Sequence, residues 1–150
     1  MSYTFHTKVV GVTFKNEDGS SRQKIIKNNC EVGQMVDLIH EEDNQYGNNA
    51  IKICLQTGES VGYIPNTASC NILKDFERFD FYALISHKGF YKVHYLEICL
   101  IAVEKDSSEE LVQNLVEKEF KQILKVNELR RQAELDFAAK KIQGDLWKRG

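Results

Sequence analysis

The chain has 150 residues, 42% of them apolar, so one domain with a sizeable core is the expected unit. Lys and Arg number 20 against 22 Asp and Glu, and the net charge of -2 gives no overall basic excess to point to nucleic acid. No segment approaches the roughly 20 apolar residues that span a bilayer, and Met1 to Thr7 lacks a signal-peptide run, so a soluble, cytoplasmic chain with no membrane partner is expected.

Lys8 to Phe14 has the Val and Thr content of a β-strand, with Gly11 marking a bulge or a close backbone approach. A turn follows at Asn16-Glu17-Asp18-Gly19. Ser20-Ser21-Arg22-Gln23 has the S-x-x-Q form of a capping box, with Ser20 as N-cap and Gln23 reaching back. It opens a short helix to about Asn29 that buries Ile25 and Ile26. Gly33 closes the connection, and Gln34 to His40 reads as a second strand.

A polar loop from Glu41 to Asn49 then drops into an alternating strand. Ile51, Ile53 and Leu55 point one way, and Lys52, Cys54 and Gln56 the other. Gln56-Thr57-Gly58-Glu59 makes a hairpin connection to a brief strand ending in Tyr63. Tyr46 and Tyr63 each sit where a loop meets a strand end, and rings at such a rim offer flat faces to a flexible ligand. Pro65 cannot donate to a sheet ladder, so the strand ends there, and Asn66 or Thr67 caps a helix carrying Cys70, Ile72, Leu73 and Phe76. Phe81 to Ser86 is the next strand, His87 to Tyr91 a turn, and Val93 to Val103 a long last strand. Six or so short strands with two small helices suit a small barrel or a strongly curled sheet, because closure removes exposed edges.

Composition changes at Glu104. Ser107-Ser108-Glu109-Glu110 is another capping box, and the chain is helical in character from there to about Trp147. Roughly 40 residues at about 1.5 Å each would reach about 60 Å if continuous. The apolar phase runs Val112, Val116, Phe120, Ile123, slips near Asn127-Glu128, and resumes as Leu135, Ala138, Ile142, Leu146. Two helices, or one helix whose halves meet different partners, would both give that slip. Residues 1–106 carry 11 Lys and Arg against 14 Asp and Glu, or -3, while residues 107–150 carry 9 against 8, or +1. Lys121, Lys125, Arg130, Arg131, Lys140, Lys141, Lys148 and Arg149 form either a solvated face or an electrostatic arm for a phosphate backbone.

Cys30, Cys54, Cys70 and Cys99 are widely separated, with no C-x-x-C pair, and the four histidines are equally scattered. Reduced thiols are expected, and neither a metal site nor a cofactor. No nucleophile elbow, metal-ligand spacing or paired-carboxylate pattern supports catalysis, so the chain is not read as an enzyme.

Three blocks together resemble the HIRAN domain family: Val9-Val10-Gly11-Val12-Thr13-Phe14 with Asp18 to Gln23; Asn44-Gln45-Tyr46-Gly47-Asn48-Asn49-Ala50-Ile51; and Gly62-Tyr63-Ile64-Pro65. Their order and spacing span about residues 8–104. The resemblance implies a mainly β fold with α, a compact six-stranded barrel related to the OB-fold with two short helices. The change of composition and charge past Glu104, with the resemblance ending there, divides the chain into a domain at 1–106 and a helical extension at 107–150. It also implies a module for single-stranded DNA, DNA 3′ ends or fork junctions, in repair or replication; RNA is left open because the 2′-hydroxyl is read by geometry. No G-x-x-x-x-G-K-[ST] loop exists, so no motor is implied.

Carried over position by position, Thr13 and Phe14, Asn44 and Tyr46, and Tyr63 would line the pocket, with Asn49 in the same polar loop. Phe14, Tyr46 and Tyr63 would stack bases, while Arg22 and Lys88 would meet phosphate. Phe90 and Tyr91 would add contacts from the His87 to Tyr91 turn. Gly47, Asn66 and Thr13 stand where fork-remodelling relatives carry charged residues, which favours general single-strand or junction binding over strict 3′-end capture. The competing reading is a protein-interaction adaptor, with the C-terminal helix docking on a partner or on a second copy.

Overall fold

The structure, a computed structural model, describes residues 1–45 and 47–149, and the side chains only as far as Gly144. The elements run β1 (Ser2–Lys8), α1 (Arg22–Asn29), β2 (Met35–Glu41), β3 (Ala50–Leu55), β4 (Ser60–Tyr63), α2 (Asn66–Asp75), β5 (Phe79–Tyr91), β6 (Val93–Glu104) and α3 (Glu109–Arg149). Among these residues the strands form one six-stranded antiparallel sheet in the order β1-β6-β5-β2-β3-β4.

β6 is the spine of the sheet because its sequence is apolar on both sides. Leu96, Ile98 and Leu100 face one core with Ile25, Ile26, Ile51, Ile53, Val61 and Ile72. Cys99, Ile101 and Val103 face a second core, which α3 covers with Val112, Leu115, Val116 and Ile123. The helices α1 and α2 therefore pack on one face and α3 on the other, the arrangement that lets a central strand read as a continuous hydrophobic run.

The ladder does not close into a barrel. β1 and β4 are its two ends, and one bridged pair stands where a barrel seam would run: Val10 N–H donates to the Tyr63 carbonyl and Tyr63 N–H to the Val10 carbonyl, each at 2.9 Å. The expected strand at Lys8 to Phe14 is also displaced. Ser2 to Lys8 pairs with Glu97 to Val103 instead, and beyond Val10 the chain turns at Gly11, whose φ of +73° is incompatible with a continuing strand.

Local capping differs from the sequence reading in two places. Asp18 accepts both the backbone N–H and the hydroxyl of Ser20, so Ser21 becomes the N-cap of α1 and accepts from Lys24 N–H at 3.2 Å. Gln23 does not reach back. Its amide donates to the Val12 and His94 carbonyls and accepts from His94 N–H, stitching the Gly11 to Phe14 turn to the start of β6. In α2 the cap position is Pro65, one residue before the expected Asn66, and its carbonyl accepts from Ala68 and Ser69.

β5 runs far past the expected stop at Ser86. A bulge between Ile85 and His87 shifts its register, the ladder continues to the Tyr91–Val93 pair, and the reversal falls on Lys92 at φ +63°. His87 to Tyr91 is thus strand rather than turn. The slip in the helical pattern is resolved as one continuous helix of 41 residues. Ser108 caps α3 by accepting from Leu111 N–H at 3.1 Å. Its first half covers the sheet, and from Glu128 to Gly144 every residue is exposed. No helix among the described residues is long and apolar enough to cross a membrane.

Candidate nucleic-acid interface

The alternation that turns Ile51 and Ile53 inward places Lys52 and Tyr63 as a cross-strand pair on the opposite face. There a cleft of about 1220 Å³ opens between the Val10 to Arg22 segment, the Glu41 to Gln45 loop and the end of β4. That volume exceeds the roughly 300–1,000 Å³ of a compact small-molecule site, and suits an extended ligand better.

Tyr63 is the fixed wall of the cleft. Its hydroxyl donates to Glu41 Oε1 at 2.6 Å, and the same carboxylate takes Asn44 Nδ2 at 3.1 Å and Lys52 Nζ at 3.1 Å. Burial opposes ionisation of Glu41, but hydrogen bonds from Tyr63, Asn44 and Lys52 outweigh it and hold the carboxyl below its ordinary range. Burial, then the adjoining Glu41 carboxylate, pushes the Tyr63 hydroxyl up to about 12. Tyr63→Phe is therefore expected to remove phenolate amplitude near pH 12 in an absorbance titration. Amplitude lost near the ordinary value of 10 instead would mean that the Glu41 bond is not made in solution.

Arg22 braces this wall from behind. The side chain is only 8% exposed, with Nε donating to Asn16 Oδ1 and Nη1 to the Gly11 carbonyl, both at 2.8 Å. Its guanidinium carbon lies 5.3 Å from the centroid of the Tyr63 ring. Phe14 also lines the cleft, at 67% exposure, and its ring, like that of Tyr63, comes within 4 Å of where a Cβ on Gly11 would lie.

The family profile for the HIRAN domain matches residues 2–77, just over half of the chain. The chain belongs to the HIRAN domain family. HIRAN domains are non-catalytic modules that bind nucleic acid. Its fold resembles a crystal structure of a Lactobacillus plantarum protein at TM-score 0.55 and 23% identity, covering 69% of this chain and 97% of that one. It also resembles the crystal structure of the HIRAN domain of human HLTF at TM-score 0.51 and 17% identity, covering 77% of this chain and 87% of that one. No curated protein matches the sequence.

In this HIRAN domain the residues named from sequence fall into three places. Phe14, Arg22, Asn44 and Tyr63 meet in the cleft, with Thr13 exposed on the adjoining turn. Phe90 and Tyr91, 66% and 75% exposed, lie at the end of the β5–β6 hairpin. The Phe90 ring lies tilted against His94 with centroids 4.8 Å apart, and Gln23 ties His94 to the Val12 turn, so the hairpin end adjoins the Phe14 segment. Two residues lie elsewhere. Asn49 donates to Cys70 Sγ over α2, and the Lys88 ammonium caps the end of α1 through the Lys27 and Cys30 carbonyls at 2.9 and 2.8 Å. Tyr46 is outside the described residues.

Glu41 was not singled out from the sequence, although it organises the wall. Its signal was its place at the end of β2, diagonal to Lys52 in the antiparallel register. Glu17, Glu42 and Asp43 also line the cleft, against Lys15 and Arg22. The cleft therefore holds more acid than base. Among the described residues no group of three or more His, Cys, Asp or Glu is placed to hold a metal.

Proposed function

We propose that this HIRAN domain binds an unpaired stretch of nucleic acid, at a single-strand end or junction, by stacking a base in the cleft between Tyr63 and Phe14. The observation that carries this reading is the preorganised Tyr63 ring, held at its hydroxyl by Glu41 and braced on one side by Arg22. A ring already fixed loses little conformational freedom on binding, so more of the stacking energy is available for affinity. Family membership supports nucleic acid as the ligand class, and the open cleft supports a flexible strand rather than a duplex.

Base contacts dominate in this mechanism. The acidic lining disfavours a phosphate deep in the cleft, so a base enters and the backbone stays outside. Asn44 offers an amide beside the ring, while Arg22 acts beneath the platform rather than on phosphate. Single-stranded DNA at an end or fork is the preferred ligand, consistent with a role in repair or replication. In polarisation titrations at low salt, a labelled single-stranded decamer is expected to bind more tightly than the same sequence as a duplex. Equal and negligible binding of the two would overturn the reading.

A further inference from the structure

Few cations in the cleft are left for the phosphates of a bound strand, Lys15 among them. Lys88 is engaged at the end of α1, two donors of Arg22 are engaged under Tyr63, and the cleft itself is rimmed by Glu17, Glu42 and Asp43. A further group of cations stands on the exposed half of α3, where Arg131, Lys140, Lys141 and the Glu97-paired Arg130 face Glu128, Glu134 and Asp136.

The course of α3 brings this half to the hairpin end. α3 starts just beyond the last residue of β6, and Arg130 lies 3.9 Å from Glu97, so the helix runs back along β6. From Glu97 to the reversal at Lys92 is about 16 Å of strand. From Arg130 to Lys141 is likewise about 16 Å of helix, a reach equal to the strand length left to the Phe90–Tyr91 tip. Val112, Val116, Ile123, Arg130, Phe137 and Lys141 are spaced by four or seven residues, which keeps them on one side of the helix. The first three of these bury against the sheet. Past the sheet the same side presents Phe137, 71% exposed, between two cations.

Resting on the function proposed above, we infer that this overhanging side of α3 is a second contact for the same strand. The strand leaves the cleft past Phe14, crosses the hairpin end, and meets α3, where Phe137 supplies a ring and Lys140 and Lys141 neutralise phosphates. An aromatic set among cations is the combination that holds unpaired nucleic acid without sequence preference. A helix–helix seam fits less well. Leu135 and Ile142 share one side of the helix, whereas Leu129 and Phe137 lie on another, so no continuous apolar stripe runs along the overhang.

The test uses the full chain and the double variant Lys140→Gln, Lys141→Gln, with oligothymidylates of about five and about twenty nucleotides, spanning the site sizes of single modules. The wild-type chain is expected to bind the long probe more tightly. The double variant should leave the short probe unchanged and weaken the long one several-fold at low salt, and the slope of log K against log salt should fall by about 1.4. An unchanged slope, or a long probe bound no tighter than the short one, overturns the inference while leaving the cleft intact. A long probe that binds with the expected slope change when the short one does not bind would remove the cleft reading and keep the α3 contact. Binding of neither probe removes both. Self-association of the wild-type chain in sedimentation, abolished in the double variant with the salt slope unmoved, would assign this side of α3 to a protein interface instead.

Discussion

Gly62→Ala is expected to lower the free energy of unfolding by about 3 kcal/mol, the upper end of what overpacking a rigid site costs. A Cβ at this position would stand 2.4 Å from the Val10 carbonyl oxygen and 2.7 Å from Val9 Cγ1, and the backbone there has φ +149°. The first obstacle is backbone, so no side-chain rotation relieves it. The carbonyl that must move accepts the Tyr63 N–H, so relief breaks the bridged pair between the two ends of the sheet. Because that pair sets Val10 beside Tyr63, the variant should also lose affinity for a single-stranded oligonucleotide. Urea unfolding followed by circular dichroism measures the first effect. A midpoint equal to that of the wild type, with an unchanged slope, would show that the site yields more readily than its geometry implies.

What the sequence disclosed was whatever depends on neighbours along the chain. Ile25 and Ile26 are buried one turn into a short helix, Gly58 turns the β3–β4 hairpin, and Tyr63 ends a strand at an open rim. The interrupted apolar phase of α3 also had a physical meaning, since it marks where the helix leaves the sheet. What stayed hidden depends on partners far away in sequence. Tyr3, Thr4, Phe5 and Thr7 are strand formers, but the sequence reading tests the segment only for a signal peptide, and its strand shows once β6 offers it a complete ladder. β5 passes through a bulge that interrupts the two-residue period on which its end was judged.

The charged residues show the same division more sharply. Arg22 and Lys88 read as phosphate ligands when positions are carried over from the HIRAN family. The fold instead gives each of them carbonyl acceptors, Gly11 for Arg22 and the α1 terminus for Lys88. Glu41 was passed over for a separate reason. A carboxylate in an acidic loop looks solvated, yet the register of β2, β3 and β4 surrounds it with the Tyr63 hydroxyl, Asn44 and Lys52. Charge count along the chain thus misplaced the electrostatics of the site. Position in the ladder determined them.

Tyr63→Ala and Tyr63→Phe separate the ring from its anchor. If a base stacks on this ring, the alanine variant should lose about 1–3 kcal/mol of affinity for a single-stranded decamer. The phenylalanine variant keeps the flat face and the neighbouring Arg22 guanidinium and loses only the bond to Glu41. That bond fixes the ring but does not touch the ligand, so its loss should weaken binding by less than half as much. The Val10–Tyr63 bridge is made by backbone atoms and survives in both variants, and unfolding curves measured in parallel separate a binding effect from a folding one. If the alanine variant binds as the wild type does, Tyr63 is removed from the interface. If both variants lose affinity equally, the hydroxyl and its Glu41 network carry the interaction, because a stacking ring would have left the phenylalanine variant stronger.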